Sequence, residues 1–148
     1  MLDNYLADYT WEPHTVDTDD GYKLVMFRLG LRDPHNDHGV WDKKEHRPSV
    51  LWMHRLGTDA VTTMAQFRQE FSDETPMPLK LVDDGYDVWM GNFRGTQYSR
   101  MHTSSDANYN QSCAYWDWSF AELGIYDMKA FVDKIYEENE WHKVYILN

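Results

Sequence analysis

Asp84-Gly85-Tyr86-Asp87-Val88-Trp89-Met90-Gly91-Asn92-Phe93-Arg94-Gly95 decides the fold. Asp87 to Gly91 reads as a short strand, apolar at its centre and polar beyond both ends, the pattern of a strand buried on both faces. Gly85 reads as the stop of a short helix opened by Pro78, because proline suits the first turn and glycine suits the position past the last. Ser49-Val50-Leu51-Trp52-Met53 is a second run of the same kind. Residues 57–78 between them are mixed and partly helical around Thr63 to Phe71. Two buried strands joined by helical chain predict parallel pairing through a crossover.

Working outward toward the N-terminus, residues 14–18 and 22–29 alternate and flank Asp20-Gly21. That dipeptide predicts a hairpin whose two turn positions both take positive φ. Residues 32–48 are polar, with Asp33-Pro34, Gly39 and Pro48, and read as a loop. Toward the C-terminus a polar loop runs from Asn92 to about Cys113. Ser119-Phe120-Ala121-Glu122 is a capping box, with the serine at the cap and the glutamate three residues on. The helix it opens runs to about Asn139, weakened at Gly124 by about 1 kcal/mol relative to alanine. Phe120, Leu123, Met128, Phe131, Val132 and Ile135 approximate one apolar stripe of that helix. Lys143 to Asn148 reads as a short buried strand. No repeat or low-complexity tract interrupts the chain. Residues 1–148 are therefore expected to form a single α/β region, an antiparallel hairpin followed by parallel strands with crossover helices.

The composition narrows the function. The 148 residues are 42% hydrophobic, so a globular core is expected. A net charge of −11 opposes phosphate backbones and anionic headgroups, which excludes nucleic acid as a natural partner. No apolar run reaches the length of a membrane span. The start, Met1-Leu2-Asp3-Asn4-Tyr5, has neither the basic and apolar stretches of a secretion signal nor the character of a transit peptide, so an intracellular place is favoured while the compartment stays open. Cys113 is the only cysteine, so no internal disulfide forms. Aromatic residues make up 16%, and some of that surface is expected to be covered by a partner or by further chain.

Four segments resemble the N-terminal half of the acid lipase family of α/β-hydrolases, the gastric and lysosomal acid lipases. Val16 to Leu24 resembles the opening hairpin. Val50-Leu51-Trp52-Met53-His54 with Leu56 resembles the strand that ends in His-Gly-Leu. Asp84 to Gly95, with Tyr98-Ser99-Arg100-Met101-His102, is the most specific stretch. Trp116 to Glu122, with Tyr126-Asp127-Met128, resembles the next helix start. Order and spacing agree from about Glu12 to Asn148.

The resemblance implies lipid ester hydrolysis by a Ser-Asp-His triad, in that chain order. None of the seven serines here lies in Gly-x-Ser-x-Gly, so the resemblance places the whole triad beyond Asn148. What it leaves in this chain is one oxyanion donor, the backbone N–H of Leu56, with His54 and Arg55 adjacent. Arg55 stands where the family carries glycine. An arginine there crowds the approach to substrate and places a guanidinium at the mouth of the site. Neither a cofactor nor a metal is implied.

Other residues carry alternatives. His35, Asp37, His38, Asp42 and His46 offer metal-ligating atoms, but their spacing matches no tight ligand pattern and a solvated loop is the plainer reading. Cys113 with His102 offers a thiol and a base without an orienting third group, and a lone cysteine more often packs as a small buried hydrophobe. Asn92, Arg94 and Gly95 are read as structural, the guanidinium satisfying carbonyls of a loop that leaves a buried strand. Asp127 either braces a loop or lies on the surface. Trp116 and Trp118 line an acyl pocket or, more simply, pack in the core.

Two functions follow. One is a partial lipid ester hydrolase, inactive alone and acting on a lipid ester only when complemented. The other is a non-catalytic accessory subunit of a larger assembly. Both expect a protein partner, or a second hydrolase half, to cover residues 143–148.

Overall fold

A computed structural model describes residues 8–32, 47–70, 75–104, 111–140 and 142–148, with only the backbone at 66–70. Strands β1 (Tyr9–Asp17) and β2 (Tyr22–Leu31) pair antiparallel from Tyr9 opposite Leu31 to Asp17 opposite Lys23. The hairpin is as expected, but its turn is not. Only Gly21 takes a positive φ, +93°, and Asp20 does not. The loop spans residues 18–21 and is braced by Thr18. The Thr18 carbonyl accepts the Gly21 N–H at 3.0 Å, and the Thr18 hydroxyl accepts the Tyr22 N–H at 2.9 Å. A four-residue loop closed in this way needs one left-handed residue rather than two.

The rest of the sheet follows from the buried runs. β3 (Ser49–Met53) and β4 (Asp87–Asn92) are parallel, in register from Ser49 opposite Asp87 to Met53 opposite Gly91. Helices α1 (Ala60–Glu70) and α2 (Met77–Asp83) make the crossover. A proline in the first turn opens α2, and Gly85 at φ +87° lies just beyond it. β6 (Val144–Leu147) pairs parallel to the outer side of β3, giving the order β1-β2-β4-β3-β6. A short strand inside the expected polar loop, β5 (Met101–His102), pairs with β2 at Tyr22 and Lys23. Two residues without an apolar alternation leave no periodic signal to read.

Two apolar layers sandwich the sheet. Phe27, Leu29, Val88 and Met90 face α1 and α2, while Leu24, Met26, Leu51 and Trp89 face the later helix. Alternation along β4 sends Val88 and Met90 to one side and Trp89 to the other, as period-2 geometry requires. Gly91 is needed for contact: a Cβ there would meet Met53 Sδ at 2.7 Å and the Phe131 ring at 3.0 Å.

The capping box at Ser119 is present, with the Glu122 carboxylate accepting the Ser119 N–H at 2.7 Å. The helix is not uniform. α3 (Phe120–Glu122) leads into a π turn at Leu123–Asp127 before α4 (Met128–Glu138) begins. The wider turn re-phases the buried face onto Leu123, Asp127, Ala130, Phe131 and Ile135. Phe120, expected in the apolar stripe, lies outside the buried face and is 69% exposed.

β6 departs from its reading too. Tyr145, Ile146 and Leu147 are exposed, because among the described residues nothing packs on that edge of the sheet. No helix of the described residues is long and apolar enough to cross a membrane.

Candidate functional site

The parallel strands β3, β4 and β6 end at one edge of the sheet, where loops converge and ligands of open α/β sheets bind. There the loop after β3, the loop after β4, a 3-10 turn at Cys113–Trp116 and the start of α3 line an open cavity of about 720 Å³. That size falls within the range of small-molecule sites. Its apolar wall comes from Phe93, Trp116, Trp118, Phe120, Leu123 and Met128.

His54 joins the two loops. Its Nδ1–H donates to the Arg55 carbonyl at 2.8 Å, and its Nε2 accepts the Phe93 N–H at 3.1 Å. This assignment requires a neutral imidazole with the proton on Nδ1. Burial pushes the His54 pKa below its ordinary value, against the opposing pull of the Arg55 carbonyl and Asp59.

The chain turns sharply beyond His54. The Thr58 N–H donates to the Arg55 carbonyl at 3.2 Å, closing a turn whose third residue, Gly57, has φ +79°. The Arg55 carbonyl also accepts the Thr58 hydroxyl at 2.7 Å, so three donors converge on one oxygen. Leu56 stands at the corner, 74% exposed, on the cavity rim, and its N–H donates to no other described residue. Arg55 lies on the same rim, exposed, with no carboxylate partner among the described residues.

The loop after β4 is held differently. The Arg94 side chain is fully buried. Its guanidinium contacts Asp127 Oδ1 at 2.7 Å and Asp20 Oδ2 at 2.6 Å, and lies 3.8 Å from the centre of the Tyr22 ring. The Asp127 carboxylate also accepts the Arg94 N–H at 2.9 Å. One pair of acids thus ties the hairpin turn, the β4 loop and the π turn together. Burial pushes Asp20 upward, but the Arg94 guanidinium and the Thr18 hydroxyl hold its carboxyl below the usual range. Gly95 follows at φ +85°, pressed so closely on Trp116 that a Cβ would come within 2.8 Å of that ring.

The structure therefore brings His54, Arg55 and Leu56 to one cavity with Trp116 and Trp118; Trp116 is exposed on its wall, and Trp118 lines it while also packing against the core. Asn92 is structural as expected: its amide donates to the Val25 carbonyl and accepts the Ala60 N–H, each at 3.0 Å. Arg94 is structural as well, but it answers carboxylates where loop carbonyls were expected. Asp127 is the loop brace and not a surface acid, because the π turn rotates it inward. Cys113 is exposed, not a packed hydrophobe. His102 has its ring nitrogens engaged, Nδ1 accepting the Ser104 N–H at 2.9 Å and Nε2 facing the Asp20 carbonyl at 3.2 Å. Neither nitrogen is left for a thiol. His35, Asp37, His38, Asp42 and His46 lie outside the described residues.

Sequence reading did not single out Phe93, Asp59 or Gln97 as lining residues. The Asp59 carboxylate accepts the Thr62 N–H at 2.8 Å and the Gln97 amide at 2.9 Å, which closes the cavity floor between the two loops. The available signal was positional, since all three follow the C-terminal end of a parallel strand.

The chain is similar to known lipases over most of its length. Residues 5–62 match the family described as a partial alpha/beta-hydrolase lipase region. The chain is 32% identical over 146 residues to Lipase 1 of Drosophila melanogaster, covering 97% of this chain and 28% of that protein. It is 35% identical over 133 residues to Triacylglycerol lipase 2 of Arabidopsis thaliana, covering 89% and 29%. Against Lipase member N of Mus musculus it is 33% identical, covering 94% and 32%. The chain thus spans about a third of these relatives' length. Among solved structures, an esterase of Pyrococcus furiosus shares the fold, with a TM-score of 0.54 at 13% identity over 99% of this chain and 44% of that one.

Proposed function

The chain belongs with the N-terminal regions of the α/β-hydrolase lipases, and from that premise we propose that it supplies the oxyanion loop and acyl-chain wall of a hydrolase acting on lipid esters. The observation that carries this reading is the Leu56 N–H, unpaired among the described residues on the rim of an apolar cavity at the strand ends. An ester carbonyl directed to that N–H lays its acyl chain along Trp116, Trp118, Leu123 and Met128. The N–H then meets the charge that develops on the oxygen, a contribution of about 10²–10³ in rate where such a donor is intact. His54 serves as a positioning residue. Its two hydrogen bonds hold the oxyanion turn against the β4 loop.

No serine among the 148 residues lies in Gly-x-Ser-x-Gly, so these residues bind and orient, and the nucleophile comes from hydrolase structure outside them. The same reading expects that structure to cover β6. On an activated ester these residues alone should show no turnover above a heat-denatured control. Adding a complementing hydrolase portion should bring turnover that a serine-directed phosphonate abolishes. Phosphonate-sensitive turnover by the 148 residues alone would overturn the assignment. In the complemented protein, Arg55→Gly should raise turnover more than it changes substrate affinity, since an oxyanion donor acts chiefly on the transition state.

Arg55 also supports a second reading, a non-catalytic accessory subunit, because it occupies the position at which the lipase pattern has glycine. The intact mass of the native polypeptide separates the two. A mass near 17.7 kDa supports the accessory role, and a much larger one supports the enzyme.

A further inference from the structure

We infer that the cavity binds a long-chain carboxylate, a fatty-acid anion, with its headgroup on Arg55 and its chain on the aromatic wall. The inference rests on the acyl-wall reading above and adds a ligand class to it. Four side chains around the cavity can carry charge. Asp59 is committed to Thr62 and Gln97. Arg94 is committed to Asp20 and Asp127. His54 is held neutral by its two hydrogen bonds. Arg55 alone has no ionic partner among the described residues, and it is a cation on the rim of an apolar cavity in a chain of net charge −11.

A guanidinium offers a planar fork that matches a carboxylate with two parallel hydrogen bonds. The unpaired Leu56 N–H on the same rim is a further donor to such a group. A neutral ester uses the N–H and can take a single hydrogen bond from the guanidinium, without the charge or the paired oxygens of a carboxylate. A carboxylate uses both. The wall behind them is the aromatic and aliphatic surface of Trp116, Trp118, Leu123 and Met128, suited to an alkyl chain, and the rim supplies the charge that an alkyl chain alone would not need.

Purified protein can be titrated, below the critical micelle concentrations, with three brominated amphiphiles of equal chain length: the fatty acid, the alcohol and the lysophosphatidic acid. Quenching of tryptophan fluorescence reports binding, and the part of it lost on Trp116→Phe and Trp118→Phe assigns it to the wall among the seven tryptophans. The acid should bind at least about tenfold more tightly than the alcohol, and Arg55→Gln should bring that ratio close to one. Raising the salt concentration should weaken the acid and spare the alcohol. Equal binding of acid and alcohol overturns the inference and leaves the acyl wall standing. A preference that survives Arg55→Gln overturns the assignment to Arg55, and tighter binding of the phosphate overturns the choice of a carboxylate. Where Arg55→Gln does not fold, the salt series on the unaltered protein decides, and an acid-to-alcohol ratio indifferent to salt overturns the inference. Binding of none of the three overturns the acyl wall and this inference together.

Discussion

Arg55 and Arg94 each stand two residues past the end of a parallel strand, on neighbouring strands, and their surroundings are opposite. Arg94 is fully buried between Asp20 and Asp127 over the face of Tyr22. Arg55 is exposed on the cavity rim without a carboxylate partner among the described residues. The difference does not come from residue type or from position relative to the strand. It comes from what the rest of the chain delivers. The hairpin turn brings Asp20 and the π turn brings Asp127 to the second strand end, and neither reaches the first. A guanidinium leaves water without large loss only where carboxylates converge on it, so one arginine became structure and the other stayed available.

Breaking the paired side should have the largest effect. Asp127→Ala leaves Arg94 buried with half its partners, which costs about 3–5 kcal/mol for a buried pair broken on one side. A urea melt should show the midpoint falling by the corresponding amount, and a midpoint unchanged within error would show that the Arg94 cluster does not hold the three elements together. Gly95→Ala should come next. The backbone at φ +85° and a Cβ 2.8 Å from Trp116 leave no relaxed place for the methyl group. A cost of about 1–3 kcal/mol is expected, with a shift in tryptophan emission as the wall moves. A variant as stable as the parent would mean that the loop after β4 adapts more freely than its packing implies.

The pH dependence separates the two strand ends by window. His54, which links the Arg55 loop to the Arg94 loop, has its pKa lowered by burial. The unfolded chain therefore binds a proton first. Stability from this site is fully present above pH about 6.5 and declines as pH falls below that value toward the folded pKa, by at most about 1.4 kcal/mol per pH unit. His54→Gln should flatten urea midpoints measured at pH 7.5, 6.5 and 5.5. An equally steep decline in that variant would move the effect to another histidine. Asp20 acts lower. Its folded carboxyl lies below the ordinary value of 3.8, so its contribution is present above that pH and is lost as pH falls through the folded value. The smallest effect belongs to the unpaired side. Arg55→Gln should leave the midpoint within about 0.5 kcal/mol of the parent, as for a surface change. A larger loss in the same melt would reveal a structural partner for Arg55.

The strands were legible because burial on both faces writes a continuous apolar run, as at Ser49–Met53 and Val88–Met90. The start of α3 was legible because a capping box is local, and the end of α2 because a proline and a glycine bracket it. β5 was not, since two residues, Met101 and His102, are too short a run to show any periodicity. The hairpin turn was read as needing two left-handed residues, and the Thr18 brace reduced that to one. Of the site, His54, Arg55 and Leu56 were legible from their place after a buried strand and from the family resemblance. Asp59, Phe93 and Gln97 carried only the general signal of lying after a strand end, and which residues of those loops meet at the cavity is set by hydrogen bonds between the loops, such as Gln97 to Asp59.

The sequence by itself determined the order of elements, the hairpin followed by parallel strands, the net charge of −11, and the similarity to the lipases. These are properties of short segments or of the whole composition, and short-range stereochemistry or simple summation suffices to read them. Only the tertiary structure decided that Asp127 faces inward, that Trp116 and Trp118 wall a cavity, that Phe120 lies exposed at that cavity instead of in the buried stripe, and that one strand-end arginine is buried while the other has no carboxylate partner among the described residues. These depend on distant groups meeting in space, as where Arg94 meets Asp127 across 33 residues and Asp20 across 74, and on an inserted π turn whose re-phasing no local rule announces.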